Sequence, residues 1–397
     1  MEHIMLKLNK LFLNDGDTRA FSEQIEPTDA QRNHLTDCKD KIRDHLLEGI
    51  TRLSIEVLGT ERSVSPRFRT QGSWSYRTCI QRAHPHQEMD WDFGVYLPVS
   101  VFEDQTPRIA ANAYFLLVQS LLESLCEREG WRLNHDRQSC IRVQVGRGAH
   151  IDVPLYAAPE AEFESIRERA VALAKATSSA HDAQYLRESV AFGELVEPAW
   201  EDLQGIHLAR RDGTWKKSDP EAVARWYNDR VLALAPFGLQ MRRVCRYLKA
   251  WRDLWWPEGG PTSVALMIVT AQHFEGSNYR RDDLALEQAA KHLAESVMKP
   301  LKEPAIEQGE EDFFGELDDT ARGTVATRAQ ELAAGIAFAR SLAYHRRHDA
   351  VEKLQNLLGL RIPSLFEWVE IEGSEADVRT TPASRVPPPL IKPTQAG

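Results

Sequence analysis

Cysteine is scarce in this chain, with five residues among 397. Their positions show neither the paired spacing of a zinc site nor a disulfide framework, so we expect a reducing compartment and no structural zinc. The N-terminus lacks the pattern of a signal peptide, and no apolar run approaches the length that spans a bilayer. These absences predict a cytoplasmic protein that works without a membrane.

An excess of positive charge is also missing. The chain has 49 Lys and Arg against 59 Asp and Glu, a net charge of −10, which disfavours a protein that coats duplex nucleic acid with a broad basic face. Small anionic nucleotides remain possible, because a local basic cluster can bind them. Walker-type Gly-Lys-Ser/Thr loops and His-Glu-x-x-His motifs are absent as well. The length allows a large core and two lobes.

Two carboxylates lie at alternate positions of a strand-like segment, Met89–Pro98. Side chains alternate faces along a strand, so Asp90 and Asp92 should point the same way. Two carboxylates about 4 Å apart repel each other by roughly 4 kcal/mol at an effective dielectric near 20, and a cation between them offsets that repulsion. Oxygen ligands suit Mg²⁺ or Mn²⁺. The alternative is an edge strand with solvated acids.

The segment Gln71-Gly72-Ser73 precedes this strand. Gly72 lets the chain turn sharply and lets a phosphate approach the backbone. Ser73 can cap a following helix, predicted over 73–80, so that its hydroxyl and nearby amides face an anion. We interpret the three residues as a cradle for a triphosphate. The alternative is an ordinary turn.

A third carboxylate, Asp152, follows 60 residues after Asp92. Its strand, His150–Tyr156, places the aliphatic residues on one face and Asp152 on the other. His150 shares the face of Asp152, where a metal role is one interpretation and a hydrogen-bonded strand histidine is the commoner one. A Gly-Ser turn, an Asp-x-Asp strand and a single strand aspartate form the layout of polymerase-β-type nucleotidyltransferases.

A predicted helix over 237–256 carries a packing face and a basic face. Arg242, Arg246 and Lys249 are spaced i, i+4 and i+7, roughly opposite the apolar stripe. They form either a solvated basic face or, through Lys249, a point charge for a triphosphate. A glycine-rich turn then leads to Ser263, which could donate to a phosphate or merely cap the next helix.

Strands alternating with helices in the first half, and helices throughout the second, predict an α+β fold. We expect a polymerase-β-type nucleotidyltransferase core with a mixed sheet, including an N-terminal helix, over residues 1–218. An α-helical lobe over 219–371 would complete the nucleotide cleft, and a flexible proline-rich tail would occupy 372–397. Individual helices are predicted from Thr28-Asp29 to about Glu56, over 110–128 and over 160–177.

The residue sequences of these motifs resemble those of the bacterial cGAS/DncV-like nucleotidyltransferases, the CD-NTases of CBASS anti-phage defence, and most of all those of their DncV branch. The resemblance covers about residues 60–270. It is carried by Gln71-Gly72-Ser73, Met89–Pro98, His150–Tyr156, Trp215–Pro220, Arg242–Asp253 and Gly260–Ser263. It implies an enzyme that joins ATP and GTP into a cyclic dinucleotide second messenger, with cyclic GMP-AMP favoured.

Other products and functions stay open at this point. The chain could make another cyclic di- or trinucleotide, or act as a linear or small-substrate nucleotidyltransferase. A non-catalytic nucleotide-binding sensor is a third class. Its hallmark would be the loss of a metal-binding acid, and all three acids are present.

The resemblance also implies roles for single residues. Asp90, Asp92 and Asp152 would be catalytic and hold two Mg²⁺ ions, with Mn²⁺ as a possible substitute, and Asp152 would help deprotonate the attacking 3′-hydroxyl. The implied nucleotide contacts are Gln71, Gly72, Ser73, Arg142, Ser218, Lys249, Ser263 and, in a divergent stretch, Asp312.

The C-terminal segment, 372–397, carries five prolines and ends in Gly397. Such a segment extends as polyproline II and can carry its end far from the core. By the same resemblance, some anti-phage operons encode an E1/E2-like enzyme that joins the terminal glycine of a DncV-like synthase to other molecules. We hypothesise that Gly397 is the point of conjugation for such a partner. The alternative is a frayed terminus.

Overall fold

The aspartate-bearing strands of the sequence belong to one mixed β-sheet, which a group of helices faces. The computed structural model describes residues 5–15, 17–98, 101, 107–158, 206–217, 220–276, 280–302, 304 and 312–373. Within these ranges the helices are α1 (Asn9–Phe12), α2 (Phe21–Ile25), α3 (Asp29–Leu58), α4 (Gly72–Ser75), α5 (Pro107–Glu129), α6 (Pro220–Ala233), α7 (Gly238–Trp255), α8 (Ser263–His273), α9 (Asp282–Ser296), α10 (Asp319–Ser341) and α11 (Arg347–Leu358). The strands are β1 (Leu6–Lys7), β2 (Arg67–Gln71), β3 (Met89–Pro98), β4 (Arg132–Asn134), β5 (Ile141–Gly146), β6 (Ala149–Val153), β7 (Leu155–Ala158), β8 (His207–Ala209), β9 (Trp215–Lys217) and β10 (Glu370–Ile371).

The larger sheet is organised around β3. Its strand order is β4-β5-β6-β3-β7-β8-β9, and β2 also pairs with β3. β2 runs antiparallel to β3, whereas β6 and β7 both run parallel to it, on either side of Pro154. The register sets Asp90 opposite His150 and Asp92 opposite Asp152. The prediction of an α+β fold with a mixed sheet is confirmed.

The helix α3 begins at a capping box, as its sequence predicts. The Thr28 N–H donates to Gln31 Oε1 at 2.8 Å, and the Gln31 N–H donates to Thr28 Oγ1 at 3.3 Å. Gly59, at φ 70°, ends the helix in left-handed backbone that glycine adopts without a steric cost. Between these ends, Leu35 and Ile42 are buried in the same core as α5 and the sheet.

The helix α5 corrects one expectation from the sequence. Over Arg108–Glu129 it is long and apolar enough to cross a membrane, by length and composition alone. More than half of its most apolar stretch is buried, however, and Tyr114, Val118 and Leu122 lie in the core shared with α3 and the sheet. Its composition is that of a helix covered on most sides by protein.

The second core is helical. On α7, the predicted packing face is present: Val244, Leu248 and Trp251 are buried. α9 contacts α7, α8 and α10, so it lies in the middle of this lobe. Trp255 is half-buried and donates from Nε1 to the Leu357 carbonyl at 2.9 Å, which joins α7 to α11.

The N-terminal segment belongs to this helical core and not to the sheet. Leu8, Phe12 and Phe21 are buried there, the Asp282 N–H donates to Asn9 Oδ1 at 2.7 Å, and β1 pairs antiparallel with β10. The sequence-based boundary at residue 218 grouped this segment with the nucleotidyltransferase core. Its apolar side chains complete the helical lobe instead, because that is where matching apolar surface lies.

Two adjacent aspartates at the start of α9 are fully buried and paired. Asp282 accepts from Arg243 Nε at 2.6 Å, and Asp283 accepts from Arg281 Nε at 2.9 Å. The backbone N–H of Leu8 also donates to Asp283 Oδ2 at 3.1 Å. Because a buried carboxylate is tolerated only when it is paired and hydrogen-bonded, this network fixes the N-terminal segment to the helical lobe.

The remaining predicted elements differ in extent. The helix predicted over 73–80 ends at Ser75, and the helix predicted over 110–128 starts three residues earlier, at Pro107. The helix predicted over 160–177 lies outside the described residues, as do most of the proline-rich tail and Gly397.

Candidate active site

The aspartates of β3 lie on one side of the sheet. Asp90 and Asp92 are half-buried, whereas Trp91 and Phe93 point to the other side, into the core. The pairing of β3 with β6 brings Asp152 next to Asp92. The three carboxylates predicted from the sequence are therefore neighbours.

The tightest group of potential metal ligands includes a histidine. Among the described residues, one ligand atom from each of Asp90, His150 and Asp152 lies within 4.8 Å of the others. Nε2 of His150 is 3.1 Å from Asp90 Oδ1 and 3.9 Å from Asp152 Oδ1. Asp92 stands beside this group, with its carboxylate against Gly72.

Burial and neighbouring charge set the pKa values of the two β3 carboxyls in opposite directions. Burial, followed by the charges of Asp90 and Asp152, raises the pKa of Asp92 well above its usual range. Burial acts on Asp90 in the same sense, but His150 and Arg142 outweigh it and hold the pKa of Asp90 below its usual range. These opposite shifts favour a proton on Asp92 and a negative charge on Asp90.

Gly72 brings the backbone close to Asp92. Its φ is +60°, and a Cβ atom here would lie 1.9 Å from Asp92 Oδ2, so a side chain would both strain the backbone and displace the carboxylate. Two residues later, Trp74 stacks on Trp91 with ring centroids 4.3 Å apart, and its Nε1–H donates to the Asp90 carbonyl at 2.9 Å. The turn is thus fixed to the strand that carries both aspartates.

The side chain of Gln71 makes its hydrogen bonds within the sheet, and its predicted nucleotide contact stays a prediction. It is buried, its Nε2–H donates to the Tyr96 hydroxyl, and its Oε1 accepts from the Tyr156 hydroxyl at 3.2 Å. The two tyrosine rings stack with centroids 4.7 Å apart. Gln71 therefore ties β2 to β3 and β7 and supports the turn before Gly72.

A cavity of about 350 Å³ opens between the sheet and the helical lobe. Six residues predicted from the sequence line it: Gly72, Ser73, Asp90, Asp92, Lys249 and Ser263. Residues that the sequence did not single out line it as well, among them Thr78, Glu88, Arg252 and Asp253. A cavity of about 450 Å³ in the helical lobe, beside His273 and His292, contains none of the predicted residues.

Lys249 is buried and does not belong to a solvated basic face. Only 6 % of it is exposed, and its Nζ donates to the Thr78 carbonyl at 2.8 Å. Burial lowers the pKa of Lys249 below its usual range. The periodicity placed Arg246 on the same side, but Arg246 pairs with Glu26. Lys249 therefore contributes a buried ammonium group to the lining of the cavity.

Ser263 is not the cap of its helix. The residue before it, Thr262, caps α8 and accepts from the Ala265 N–H at 3.1 Å. Ser263 Oγ accepts instead from Arg252 NH2 at 2.9 Å. The capping interpretation is therefore wrong for Ser263, and its hydroxyl bonds to Arg252, which also lines the cavity.

Arg142 pairs with the third aspartate. It lies opposite Asp152 across β5 and β6, and it donates from Nε to Asp152 Oδ1 and from NH2 to Oδ2, both at 2.7 Å. This two-point pairing matches the guanidinium fork to the carboxylate. The contact of Arg142 with nucleotide stays a prediction.

The other ring nitrogen of His150 contacts Glu88. Nδ1 of His150 lies 3.0 Å from Glu88 Oε2, and Gln144 Nε2 donates to both oxygens of Glu88 at 3.3 and 3.4 Å. Burial opposes a charge on His150, but Asp90 and Asp152 raise its pKa above the usual range. Strand alternation predicted that His150 shares a face with Asp152, but the sequence did not indicate Glu88 as its partner.

Asp312 lies away from the cavity. Its Oδ1 accepts from the Leu301 and Phe314 N–H groups at 2.8 and 3.0 Å, and its Oδ2 accepts from Arg322 NH2 at 2.6 Å. These bonds hold the segment before α10, so the geometry lends no support to a base contact. Ser218 and Gly397 lie outside the described residues.

The donor set fits divalent cations. Asp90, Asp92 and Asp152 supply carboxylate oxygens, which Mg²⁺ and Mn²⁺ prefer. The raised pKa of Asp92 marks negative charge that its surroundings do not offset. Asp90 Oδ1 is buried without a hydrogen-bond partner among the described residues, and a cation would satisfy it.

Two family descriptions match this chain. "Cyclic GMP-AMP synthase DncV-like, nucleotidyltransferase domain" matches residues 66–156, and "Cyclic GMP-AMP synthase, C-terminal domain" matches residues 238–367. The first covers the turn and the three aspartates, and the second covers Lys249 and Ser263. The two matched regions therefore meet at the cavity.

Curated relatives have the same name. A cyclic GMP-AMP synthase of Vibrio cholerae is 34 % identical over 289 residues, 71 % of this chain and 63 % of that protein. A cyclic GMP-AMP synthase of Escherichia coli is 33 % identical over 309 residues, 76 % of this chain and 68 % of that protein. The matched region thus spans about two thirds of the length of these relatives.

Solved structures share the fold over nearly the whole chain. The Vibrio cholerae DncV structure with the linear intermediate pppA(3′,5′)pG has a TM-score of 0.73 at 23 % identity and covers 93 % of this chain and 99 % of that one. The DncV structure with GTP and 5MTHFGLU2 has a TM-score of 0.74 at 25 % identity and covers 92 % and 99 %.

Proposed function

The chain belongs to the DncV-like nucleotidyltransferases, and from that premise we propose that it is a cyclic dinucleotide synthase whose substrates are ATP and GTP. The favoured product is cyclic GMP-AMP, after the names of the relatives. One observation carries the proposal: carboxylates of the sheet and the buried Lys249 of the helical lobe line one cavity.

The residues of the cavity would have two roles: some would neutralise the triphosphate, and others would position and activate the attacking hydroxyl. Mg²⁺ ions, held by Asp90, Asp92 and Asp152, would supply charge neutralisation of the triphosphate and acidify the attacking 3′-hydroxyl. Lys249 would neutralise phosphate oxygens as a point charge. Gly72, without a side chain, lets the Asp92 carboxylate lie against the turn and would let a phosphate approach the backbone. Positioning and electrostatics would supply most of the rate.

Asp152 would help to take the proton from the 3′-hydroxyl. Its carboxylate is held in one orientation by both nitrogens of the Arg142 fork, so it need not reorganise during the reaction. The first attack on an α-phosphate releases pyrophosphate and leaves a linear dinucleotide. A second attack by the remaining 3′-hydroxyl closes the ring and releases a second pyrophosphate.

The test is direct synthesis by purified protein. With Mg²⁺ and labelled ATP and GTP, we expect pyrophosphate release and a labelled product that phosphatase does not degrade. The double variant Asp90→Ala/Asp92→Ala should stay folded and make none. The control Asp349→Ala removes an acid from an exposed pair with Arg346 and should leave synthesis unchanged.

The product distinguishes this function from its alternatives. A cyclic product from other nucleotides would change the substrates but keep the reaction class. A product that phosphatase degrades fully, or label transferred to another molecule, would identify a linear or small-substrate nucleotidyltransferase. Binding of nucleotide without any turnover would identify a sensor.

The finer biological role that we propose is the one that the resemblance to the family implies. The cyclic nucleotide would serve as a second messenger in anti-phage defence, made in the cytoplasm, where the five buried cysteines stay reduced. The test is a phage challenge of cells that carry the gene with its neighbours. Protection should be lost with the Asp90→Ala/Asp92→Ala variant.

Conjugation through Gly397 is a separate part of the proposal. A terminal glycine is small enough for its carboxylate to enter a narrow adenylating site, and the sequence before it is rich in proline. Co-expression with neighbouring genes should yield a covalent adduct by mass spectrometry. Gly397→Glu should abolish the adduct and leave synthesis by the purified enzyme intact. If no adduct forms when the native partner is present, the conjugation proposal is wrong.

A further inference from the structure

The imidazole of His150 is almost completely buried and lies against the carboxylates of Asp90 and Asp152. Only 5 % of the residue is exposed, and it stands opposite Asp90 in the parallel pairing of β3 and β6. A strand histidine that only stabilises the sheet would satisfy both ring nitrogens with protein groups. His150 does so at one nitrogen.

The satisfied nitrogen is Nδ1. It lies 3.0 Å from Glu88 Oε2, and Gln144 holds Glu88 in turn by donating from Nε2 to both carboxylate oxygens at 3.3 and 3.4 Å. Histidines that bind metals almost always donate their other ring N–H to a carboxylate or carbonyl, which fixes the tautomer and the orientation of the ring. Glu88 is such a carboxylate, and its contact with Nδ1 leaves Nε2 facing Asp90 and Asp152.

The other nitrogen, Nε2, has no hydrogen-bond partner among the described residues. It lies 3.1 Å from Asp90 Oδ1, yet the two atoms lack hydrogen-bond geometry, and Asp90 Oδ1 is itself buried without such a partner. Two ligands about 2.1 Å from one ion and at right angles to each other are about 3.0 Å apart. The separation of these two atoms is the separation of neighbouring ligands.

A third ligand atom completes the group. Asp152 Oδ1 lies 3.9 Å from His150 Nε2, and all three ligand atoms lie within 4.8 Å of one another. Asp152 Oδ1 accepts one bond from Arg142, and a carboxylate oxygen keeps a second lone pair for a cation.

We propose that His150 Nε2 is a direct ligand of one divalent cation at this site, with Asp90 and Asp152 as its carboxylate ligands and Glu88 as the residue that orients the imidazole. A position with an imidazole ligand prefers a first-row transition-metal ion to Mg²⁺, which favours oxygen ligands. The inference rests on the cation site of the proposed function and deepens it, because it names a nitrogen ligand and the class of ion.

The experiment uses Mn²⁺ alone, without nucleotide, bound to tag-free full-length protein. Electron spin echo modulation detects a nitrogen directly bonded to the paramagnetic ion. We expect nitrogen coupling in the parent protein and its loss in His150→Gln. The control His86→Gln replaces an exposed histidine of the loop before β3 and should keep the coupling.

Affinity provides a second measurement. His150→Gln should weaken Mn²⁺ binding tenfold or more and Mg²⁺ binding less, so the ratio of the two dissociation constants should fall. Glu88→Gln keeps the shape of the orienting residue and should weaken Mn²⁺ binding about 10- to 100-fold. If His150→Gln fails to fold, Glu88→Gln still tests the same ligand.

The outcomes separate this inference from the proposed function. Bound Mn²⁺ without nitrogen coupling, or coupling that persists in His150→Gln, overturns the ligand assignment, and continued synthesis of a cyclic product with Mg²⁺ would show that the proposed function survives. Nitrogen coupling lost with His150, in a protein that makes no dinucleotide under any mixture, would support the metal ligand and overturn the synthase.

Discussion

Arg142 holds both carboxylate oxygens of Asp152, with Nε 2.7 Å from Oδ1 and NH2 2.7 Å from Oδ2. The pair stands on neighbouring antiparallel strands, directly opposite each other. The acid for which we propose the role of proton acceptor is thereby kept in one orientation. The geometry depends on the planar fork of arginine, which lysine lacks.

Arg142→Lys should therefore behave as a severe substitution. It keeps the charge but loses one of the two parallel bonds, and a hydrogen bond to a charged group contributes about 1.5–3 kcal/mol. We expect kcat/KM for dinucleotide synthesis to fall about tenfold or more. The control Arg147→Lys changes an exposed arginine in the turn between β5 and β6. Equal rates for the two lysine variants would contradict the role of the fork.

Gly72→Ala should abolish activity because the new side chain would displace the Asp92 carboxylate. The new Cβ would lie 1.9 Å from Asp92 Oδ2, in backbone with φ +60°. Gly130→Ala is the matched control, because Gly130 has φ +70° and no atom of the described residues lies within 4 Å of the place that a Cβ would take there. Both variants should lose about 1 kcal/mol of stability from backbone strain.

The difference between the two glycine variants reports the contact with Asp92. Pyrophosphate release should be lost in Gly72→Ala and retained in Gly130→Ala, at similar melting temperatures. An active Gly72→Ala enzyme would show that the turn and the carboxylate need not be in contact during the reaction.

Lys249→Ala should affect both catalysis and stability. The loss of charge beside the triphosphate should raise KM for the nucleotide and lower kcat/KM by roughly 1.5–3 kcal/mol of transition-state stabilisation. The Thr78 carbonyl would lose its donor, and an unsatisfied buried acceptor costs about 1–3 kcal/mol of stability. Steady-state kinetics and thermal melts measure the two effects.

The burial of Lys249 makes the stability loss a stronger expectation than its spacing on the helix suggests. Lys41→Ala is the control, since Lys41 is half-exposed and pairs with Glu129 at the surface, where a pair contributes about 0–1 kcal/mol. Unchanged kinetics with a lower melting temperature would make Lys249 a structural residue only.

Substitutions of the two β3 aspartates should change stability in opposite directions when divalent cations are absent. The folded protein raises the pKa of Asp92 above its unfolded value of 3.8. Stability from this proton is present below the unfolded pKa and is lost as the pH rises through the folded pKa. At neutral pH, Asp92→Asn should therefore raise the free energy of unfolding by about 0.5–2 kcal/mol, and the variant should melt at a higher temperature than the parent protein.

Asp90→Asn is the matched opposite. The folded protein holds the pKa of Asp90 below 3.8, so its charge adds stability above the unfolded pKa and that stability is lost as the pH falls through the folded pKa. This variant should melt lower at neutral pH. Thermal melts in a chelator across the pH range measure both, and a shift of the same sign in the two variants would refute the assignment of the proton.

The sequence located the parts of the site that depend on local geometry. Strand alternation placed Asp90 and Asp92 on one face, and the same rule placed Asp152 with His150. What it missed depends on the neighbouring chain. Helical spacing grouped Lys249 with Arg242 and Arg246 on one basic face, because spacing does not tell which side of a helix another lobe will cover.

The side-chain partners of two other residues also depend on distant parts of the chain. The side chain of Gln71 extends into the sheet because tyrosines from two other strands supply its partners. Glu88, which lies just before β3, gains its meaning from His150, 62 residues later. Such pairings become visible only once the strand register is known.

The antiparallel pairing of β1 with β10 bears on the order in which the protein folds. Leu6 pairs with Ile371, and Leu8 bonds to Asp283, 275 positions away. During synthesis the opening strand leaves the ribosome long before its partners exist, while the sheet contains pairs that are much closer in sequence. Contacts of such high sequence separation form late. The helical lobe should therefore mature last, and the sheet with its aspartates should be assembled before the wall that carries Lys249 closes over it.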